Sequence, residues 1–197
     1  MIQNVIFDIG NVLVTFQGKE TLAKYIRPPF LDDVYSFLFQ QDRWNQYDQG
    51  LLTKEDLIHE VSTAFPSITQ DITSYMHHWF EHIDIVESSL NTIRYCQDKG
   101  YSVYALSNIP VDCFQHFQKQ SDFLSKMDGG IYSFQAKLIK PDPKIYQTLC
   151  DTYQLNAQDC LFIDDRQENI ETAKELGFHT IHCTAMSKLQ EQVEKYI

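Results

Sequence analysis

Four short apolar runs separated by helix-period segments predict an α/β chain built on a doubly wound parallel sheet, with an all-helical insertion after the first run. The runs are Asn4 to Phe7, Ser102 to Leu106, Cys160 to Ile163 and His179 to His182. They lack strict polar and apolar alternation, as expected of parallel strands covered on both faces. Helical patterns fill the gaps: Val111 to Met127, Pro143 to Tyr153 with proline in its first turn, and Glu168 to Leu176 closed by Gly177. Between Phe16 and Asp84 no strand is legible. That stretch reads as helices broken at Pro28-Pro29, Gly50 and Pro66, with Thr53 and Glu55-Asp56 opening one helix and Asp71 to His82 forming another. It is too long for a plain crossover. Residues 1–15 and 85–197 are therefore read as the core and 16–84 as a helical insert, with re-entry through a helix from Ile85 to Asp98 that Gly100 ends.

The chain has 197 residues, of which 43% are hydrophobic and 13% aromatic, enough to bury one sizeable core. Sixteen basic against 27 acidic residues give a net charge of −11, which repels phosphate backbones and argues against nucleic acid as a partner. An acidic protein acting on an anionic metabolite needs positive charge at the site, from Lys, Arg or a metal ion. The five cysteines are odd in number and scattered, without the close pairing of a zinc site. They read as reduced thiols. Met1 runs straight into the first strand, no export signal or membrane-length apolar run is seen, and a cytoplasmic protein, a monomer or weak homodimer, is expected.

Charged and polar residues stand where the apolar runs stop. Asp8 follows Val5-Ile6-Phe7, at the carboxyl end of a strand, where open α/β sheets bind ligands. Ser107-Asn108 ends the second run and offers a hydroxyl and an amide to a phosphoryl oxygen. Lys140 precedes Pro141-Asp142-Pro143, whose prolines fix its entry into the next helix. Asp164-Asp165 ends the third run, with Asn169 five residues after Asp164. Paired carboxylates at a buried strand end repel unless a cation compensates them, so a divalent metal is the economical explanation.

Together, Asp8, Ser107, Lys140-Pro141-Asp142-Pro143 and Asp164-Asp165 resemble the haloacid dehalogenase (HAD) superfamily of aspartyl-phosphate hydrolases over essentially the whole chain. The insert at 16–84 is similar to that superfamily's first-type cap. Phe7-Asp8-Ile9-Gly10-Asn11-Val12 and Asp164-Asp165 with Asn169 are most similar to the branch of bacterial α-D-glucose-1-phosphate phosphatases. The resemblance implies a catalytic core at 1–15 and 85–197, with Asp8 as nucleophile. Ser107 and Lys140 would hold the phosphoryl oxygens, with Asn108 helping. It further implies Mg²⁺ on Asp8, the Gly10 carbonyl and Asp165, with Asp164 and Asn169 behind them. The implied reaction is hydrolysis of a small phosphorylated metabolite, a sugar phosphate such as glucose 1-phosphate.

One position departs from that pattern. Most phosphatases of the superfamily carry a second Asp two residues after the nucleophile, as general acid, and here Gly10 stands there. Such an acid contributes about 10²–10⁴-fold. Either the leaving group is acidic, another group or water donates the proton, or turnover is slow. Gly10 also keeps two other classes open: a metal-independent C–X hydrolase using Asp8, and a catalytically silent phospho-metabolite-binding protein. Specificity is expected from the insert, where Arg43, Trp44, Tyr47 and Lys54 flank the Gly50 turn as candidate substrate contacts.

Overall fold

The computed structural model describes residues 1–197. Five parallel strands, β1 (Asn4–Phe7), β2 (Ser102–Ser107), β3 (Gly129–Tyr132), β4 (Cys160–Asp164) and β5 (His179–His182), form one sheet in the order β3-β2-β1-β4-β5. Chain order reverses on the two sides of β1, as in a doubly wound fold. The lack of alternation in β1 has a direct cause. Val5 and Phe7 enter one apolar cluster and Ile6 enters another on the opposite face, and all three are inaccessible to solvent. Each such side chain contributes about 1.5–3 kcal/mol by burial, so a polar residue at any of them would break the strand.

The helices are α1 (Gly18–Leu22), α2 (Pro28–Phe39), α3 (Arg43–Asp48), α4 (Lys54–Ala64), α5 (Thr69–His78), α6 (Glu87–Asp98), α7 (Val111–Gln120), α8 (Phe123–Lys126), α9 (Ser133–Ala136), α10 (Pro143–Tyr153), α11 (Gln167–Glu175) and α12 (Leu189–Val193). Residues 16–84 hold α1 to α5 and short 3₁₀ turns but no strand. Thr53 and Asp56 form a reciprocal capping box at the start of α4, with Asp56 N to Thr53 Oγ1 at 3.1 Å and Thr53 N to Asp56 Oδ2 at 2.8 Å. The two chain crossings at the ends of this segment pair with each other. Thr15 N donates to Asp84 O and Val86 N to Leu13 O, both at 2.9 Å, around an antiparallel bridge between Val14 and Ile85. No helix is long and apolar enough to cross a membrane.

Two sequence expectations change. The helix expected from Val111 to Met127 stops at Gln120, because Ser121 is extended, and resumes only as the single turn α8. The edge strand β3 was not legible, since Gly129-Gly130 reads as a turn. Its glycines are required by packing: a Cβ at Gly129 would stand 2.4 Å from the Tyr153 ring. The Tyr153 hydroxyl accepts from Gly130 N at 2.8 Å and donates to Gly130 O at 3.1 Å, so the aromatic ring lies where side chains would otherwise be.

Candidate active site

Because β2, β1 and β4 are neighbours in register, their carboxyl ends deliver Ser107, Asp8 and Asp164 side by side. Lys140 reaches them from the loop before α10. Its Nζ lies 2.9 Å from Asp8 Oδ1 and 2.6 Å from Asp164 Oδ2, and donates to Leu106 O at 2.8 Å. Two hydrogen bonds and the ion pair to Asp8 thereby fix a long side chain in one orientation. Asn169 Nδ2 donates to both Asp164 oxygens at 2.9 and 3.0 Å, and Arg166 N donates to Asp164 Oδ1 at 2.8 Å. Asp164 thus orients its neighbours from behind, inaccessible to solvent.

Asp8, Asp164 and Asp165 offer carboxylate oxygens within 4.8 Å of one another. Burial pushes Asp8 up to about 7, with Asp164 and Asp165 adding to the rise and Lys140 opposing it. Burial and then Asp164 likewise raise Asp165. Burial opposes the charge on Lys140, but Asp164 and Asp8 together outweigh it and raise its pKa above that of an ordinary lysine. Three carboxylates against one ammonium leave a surplus of two negative charges when all are ionised. Hard oxygen donors in that number suit Mg²⁺, and the cluster fits such an ion.

A cavity of about 350 Å³ opens above this cluster, lined by Asp8, Gly10, Trp44, Ser107, Lys140, Asp165 and others. Ser107 Oγ is buried and has no partner within the chain, which leaves it free for a ligand oxygen. Phe16, Tyr35, Phe39, Trp44 and Trp79 supply an aromatic wall from the helical segment. Trp44 stacks on Phe39 with ring centroids 4.4 Å apart.

Several expected contacts lie elsewhere. Arg43 sits with its guanidinium carbon 3.7 Å from the Phe37 ring centroid and its Nε 2.6 Å from Glu60 Oε2, outside the cavity. Tyr47 donates to Asp112 Oδ2 at 2.9 Å, and Lys54 Nζ lies 3.7 Å from the same oxygen, so both tie the helical segment to α7. Asn108 lines the cavity, but its amide holds Lys140: Nδ2 donates to Lys140 O at 3.0 Å and Oδ1 accepts from Lys140 N at 2.8 Å. Its amide partners are both on the Lys140 backbone.

Besides the aromatics that join Trp44 in the wall, Asn11, Asp48 and Arg166 escaped the sequence reading. Asn11, in the left-handed region at φ 51°, donates to Asp165 Oδ2 at 3.1 Å and accepts from Phe16 N at 2.9 Å. Its place after Gly10 in a turn was the available signal. Arg166 and Asp48 also line the cavity. Asp48 lies between the candidate contacts Tyr47 and Lys54, but an acid beside an anionic ligand does not read as a contact.

A model of the haloacid dehalogenase-like hydrolases matches residues 2–177. The chain belongs to that family. Among characterised proteins it is similar to a sesquiterpene phosphatase of Aspergillus oryzae, 22% identical over 91% of this chain and 88% of the relative. It is also similar to a D-ribitol-5-phosphate phosphatase of Bacteroides thetaiotaomicron, 26% identical over 91% of each chain. Among solved structures, a HAD family enzyme from Bacteroides thetaiotaomicron superposes with a TM-score of 0.78 at 21% identity, covering 98% of both chains. The fold is therefore that of the HAD enzymes.

Proposed function

We propose that this HAD hydrolase is a Mg²⁺-dependent phosphatase of small phosphorylated metabolites, sugar or polyol phosphates such as glucose 1-phosphate. The carrying observation is the surplus negative charge of Asp8, Asp164 and Asp165 over Lys140, beneath a cavity with an unpartnered serine hydroxyl. Such a site is incomplete without a divalent cation and then suits a phosphoryl group. Supporting this, relatives are named phosphatases, and a Bacteroides thetaiotaomicron HAD enzyme with the same fold was solved with magnesium and inorganic phosphate.

Asp8, the Gly10 carbonyl and Asp165 would hold the Mg²⁺, with Asp164 and Asn169 positioning them. Its contribution would be to neutralise charge on the phosphoryl oxygens. Asp8 attacks phosphorus and carries the phosphoryl group as an aspartyl phosphate, which divides one hard displacement into two. Lys140 balances the equatorial oxygens and Ser107 donates to one of them. Residues 16–84 act as the cap, and the aromatic wall around Trp44 stacks against the carbon face of the substrate.

A second reading, a C–X hydrolase, is favoured by Gly10 and by two (S)-2-haloacid dehalogenases among the relatives, at 25% and 22% identity. The carboxylate surplus weighs against it, since it repels a haloacid unless a cation is present. Phosphate release from a panel of sugar and polyol phosphates, with Mg²⁺ and with a chelator, is the test, run beside chloride release from 2-chloropropionate. Metal-dependent phosphate release is expected, and chloride release without phosphate release defeats the proposal.

The same charge surplus predicts a pH-dependent metal effect on stability. The folded pKa of Asp8 lies above its ordinary value of 3.8, at about 7. Below about pH 4 the group is protonated in both states and carries no penalty, and between there and pH 7 the metal-free fold loses stability as pH rises. Mg²⁺ pairs only with the ionised form. At about 100 times its dissociation constant it should raise Tm by roughly 5–10 °C at pH 8 and by a small fraction of that at pH 5. An equal or larger gain at pH 5, measured by calorimetry, contradicts the charge account.

A further inference from the structure

Gly10 has no side chain, and a Cβ there would meet nothing within 4 Å, so the loop after β1 offers no acid beside Asp8. Asp48 lines the same cavity from the end of α3. The residue is 8% exposed, and its Oδ1 has no hydrogen-bond partner. An isolated buried carboxyl oxygen is destabilising, and the carboxyl end of a helix is where negative charge is least favoured. No hydrogen bond within the chain compensates for either; only the charges of Arg166 and Lys140 act in its favour.

The backbone that carries it is, by contrast, firmly held. Ser133 Oγ donates to Asp48 O at 2.5 Å, and Lys137 Nζ donates to Gly50 O at 2.6 Å. Both tie the end of α3 to the segment after β3 and set the carboxyl group over the cavity. The residue is thus fixed in place while its functional group is left without a partner.

We propose that Asp48 is the general acid and base of this enzyme, replacing the side chain that Gly10 lacks. The assignment rests on the phosphatase reading and deepens it. In the first half-reaction Asp8 Oδ forms a bond to phosphorus and the ester P–O bond breaks. The leaving oxygen takes the Asp48 proton and departs as an alcohol. In the second, the Asp48 carboxylate takes a proton from a water whose oxygen bonds to phosphorus as the Asp8–phosphorus bond breaks. Inorganic phosphate leaves, with Asp8 and protonated Asp48 restored.

The required protonation state agrees with the surroundings. Burial, and then the charge of Asp8, hold the Asp48 carboxyl well above the ordinary carboxylate range, while Arg166 and Lys140 pull it the other way. Burial thus favours the protonated form, which is the form that donates.

The test compares kcat/KM for 4-nitrophenyl phosphate and benzyl phosphate, esters of similar size whose leaving groups differ greatly in acidity, in the full-length protein with Mg²⁺. Asp48→Asn should lower benzyl phosphate turnover by about 10²–10⁴-fold and change 4-nitrophenyl phosphate turnover less than tenfold. Because the Asp48 side chain makes no hydrogen bond, the variant should fold, which thermal unfolding checks; Asp48→Ala supplies the same comparison if the amide fails. Equal losses on the two esters, or no loss on either, overturn the assignment. Absence of wild-type hydrolysis of 4-nitrophenyl phosphate instead defeats the phosphatase reading itself, so the two failures are distinguishable.

Discussion

Lys140→Met should both inactivate the protein and lower its stability by about 3–5 kcal/mol at pH 8 without metal. The ammonium lies 2.9 Å from Asp8 and 2.6 Å from Asp164, and almost nothing of it reaches solvent. Methionine fills much of the volume but leaves two buried carboxylates facing Asp165 with no cation. The expected drop in Tm is about 10 °C or more at this chain length. It should shrink toward pH 5, because carboxylates deprived of their counter-ion take up protons and shed the repulsion. Activity should fall at least about 10³-fold at any Mg²⁺ concentration, since added ion would not restore positive charge at the position of the lysine. A variant with wild-type Tm at pH 8 would mean that Lys140 is not the counter-charge of this cluster.

Asp8→Asn should reduce turnover by at least about 10⁴-fold, the scale seen when a nucleophile that acts in concert with its neighbours is removed. The amide has nearly the same shape, so the loss isolates chemistry. Stability should move the other way from Lys140→Met. Burial, with Asp164 and Asp165 adding to it, raises Asp8 to about 7, and a neutral residue there relieves both the desolvation and the repulsion while Asp164 keeps Lys140 paired. Metal-free Asp8→Asn is therefore expected to melt at or above the wild-type temperature at pH 8. Residual activity above about 1% of wild type would remove Asp8 as nucleophile.

Much of this site could be read from local sequence, because its carboxylates and its serine stand where apolar strands end. Asp8, Ser107 and Asp164 are neighbours in space for the reason that β2, β1 and β4 are neighbours in the sheet, and four of the five strands were legible as runs, although the edge strand β5 is buried only at Ile181 and not covered on both faces as expected. Lys140 was marked by the prolines around it. What was not legible depends on contacts between distant segments. Tyr47 finds Asp112 across 65 positions, and Asn108 finds Lys140 across 32, so their partners leave no trace in spacing. An aromatic and a cation near a glycine turn look like ligand contacts until Asp112 is seen to take both. The edge strand β3 was hidden because Gly129 and Gly130 are set by the Tyr153 ring, not by a turn. Asp48 carries no signal of its own in the sequence, and only its burial and missing partner distinguish it from a solvated helix end.

The central claim is that the three carboxylates under the cavity need a divalent cation to act on a phosphoryl group. Titrating Mg²⁺ into chelator-treated protein while following 4-nitrophenyl phosphate hydrolysis measures this directly, with Asp165→Ala run in parallel. The account predicts no hydrolysis above background before metal is added, a saturable rise in the wild type, and a half-saturating concentration at least about tenfold higher in Asp165→Ala. Hydrolysis at the full rate in the metal-free protein, or identical titration curves for the two proteins, would contradict it.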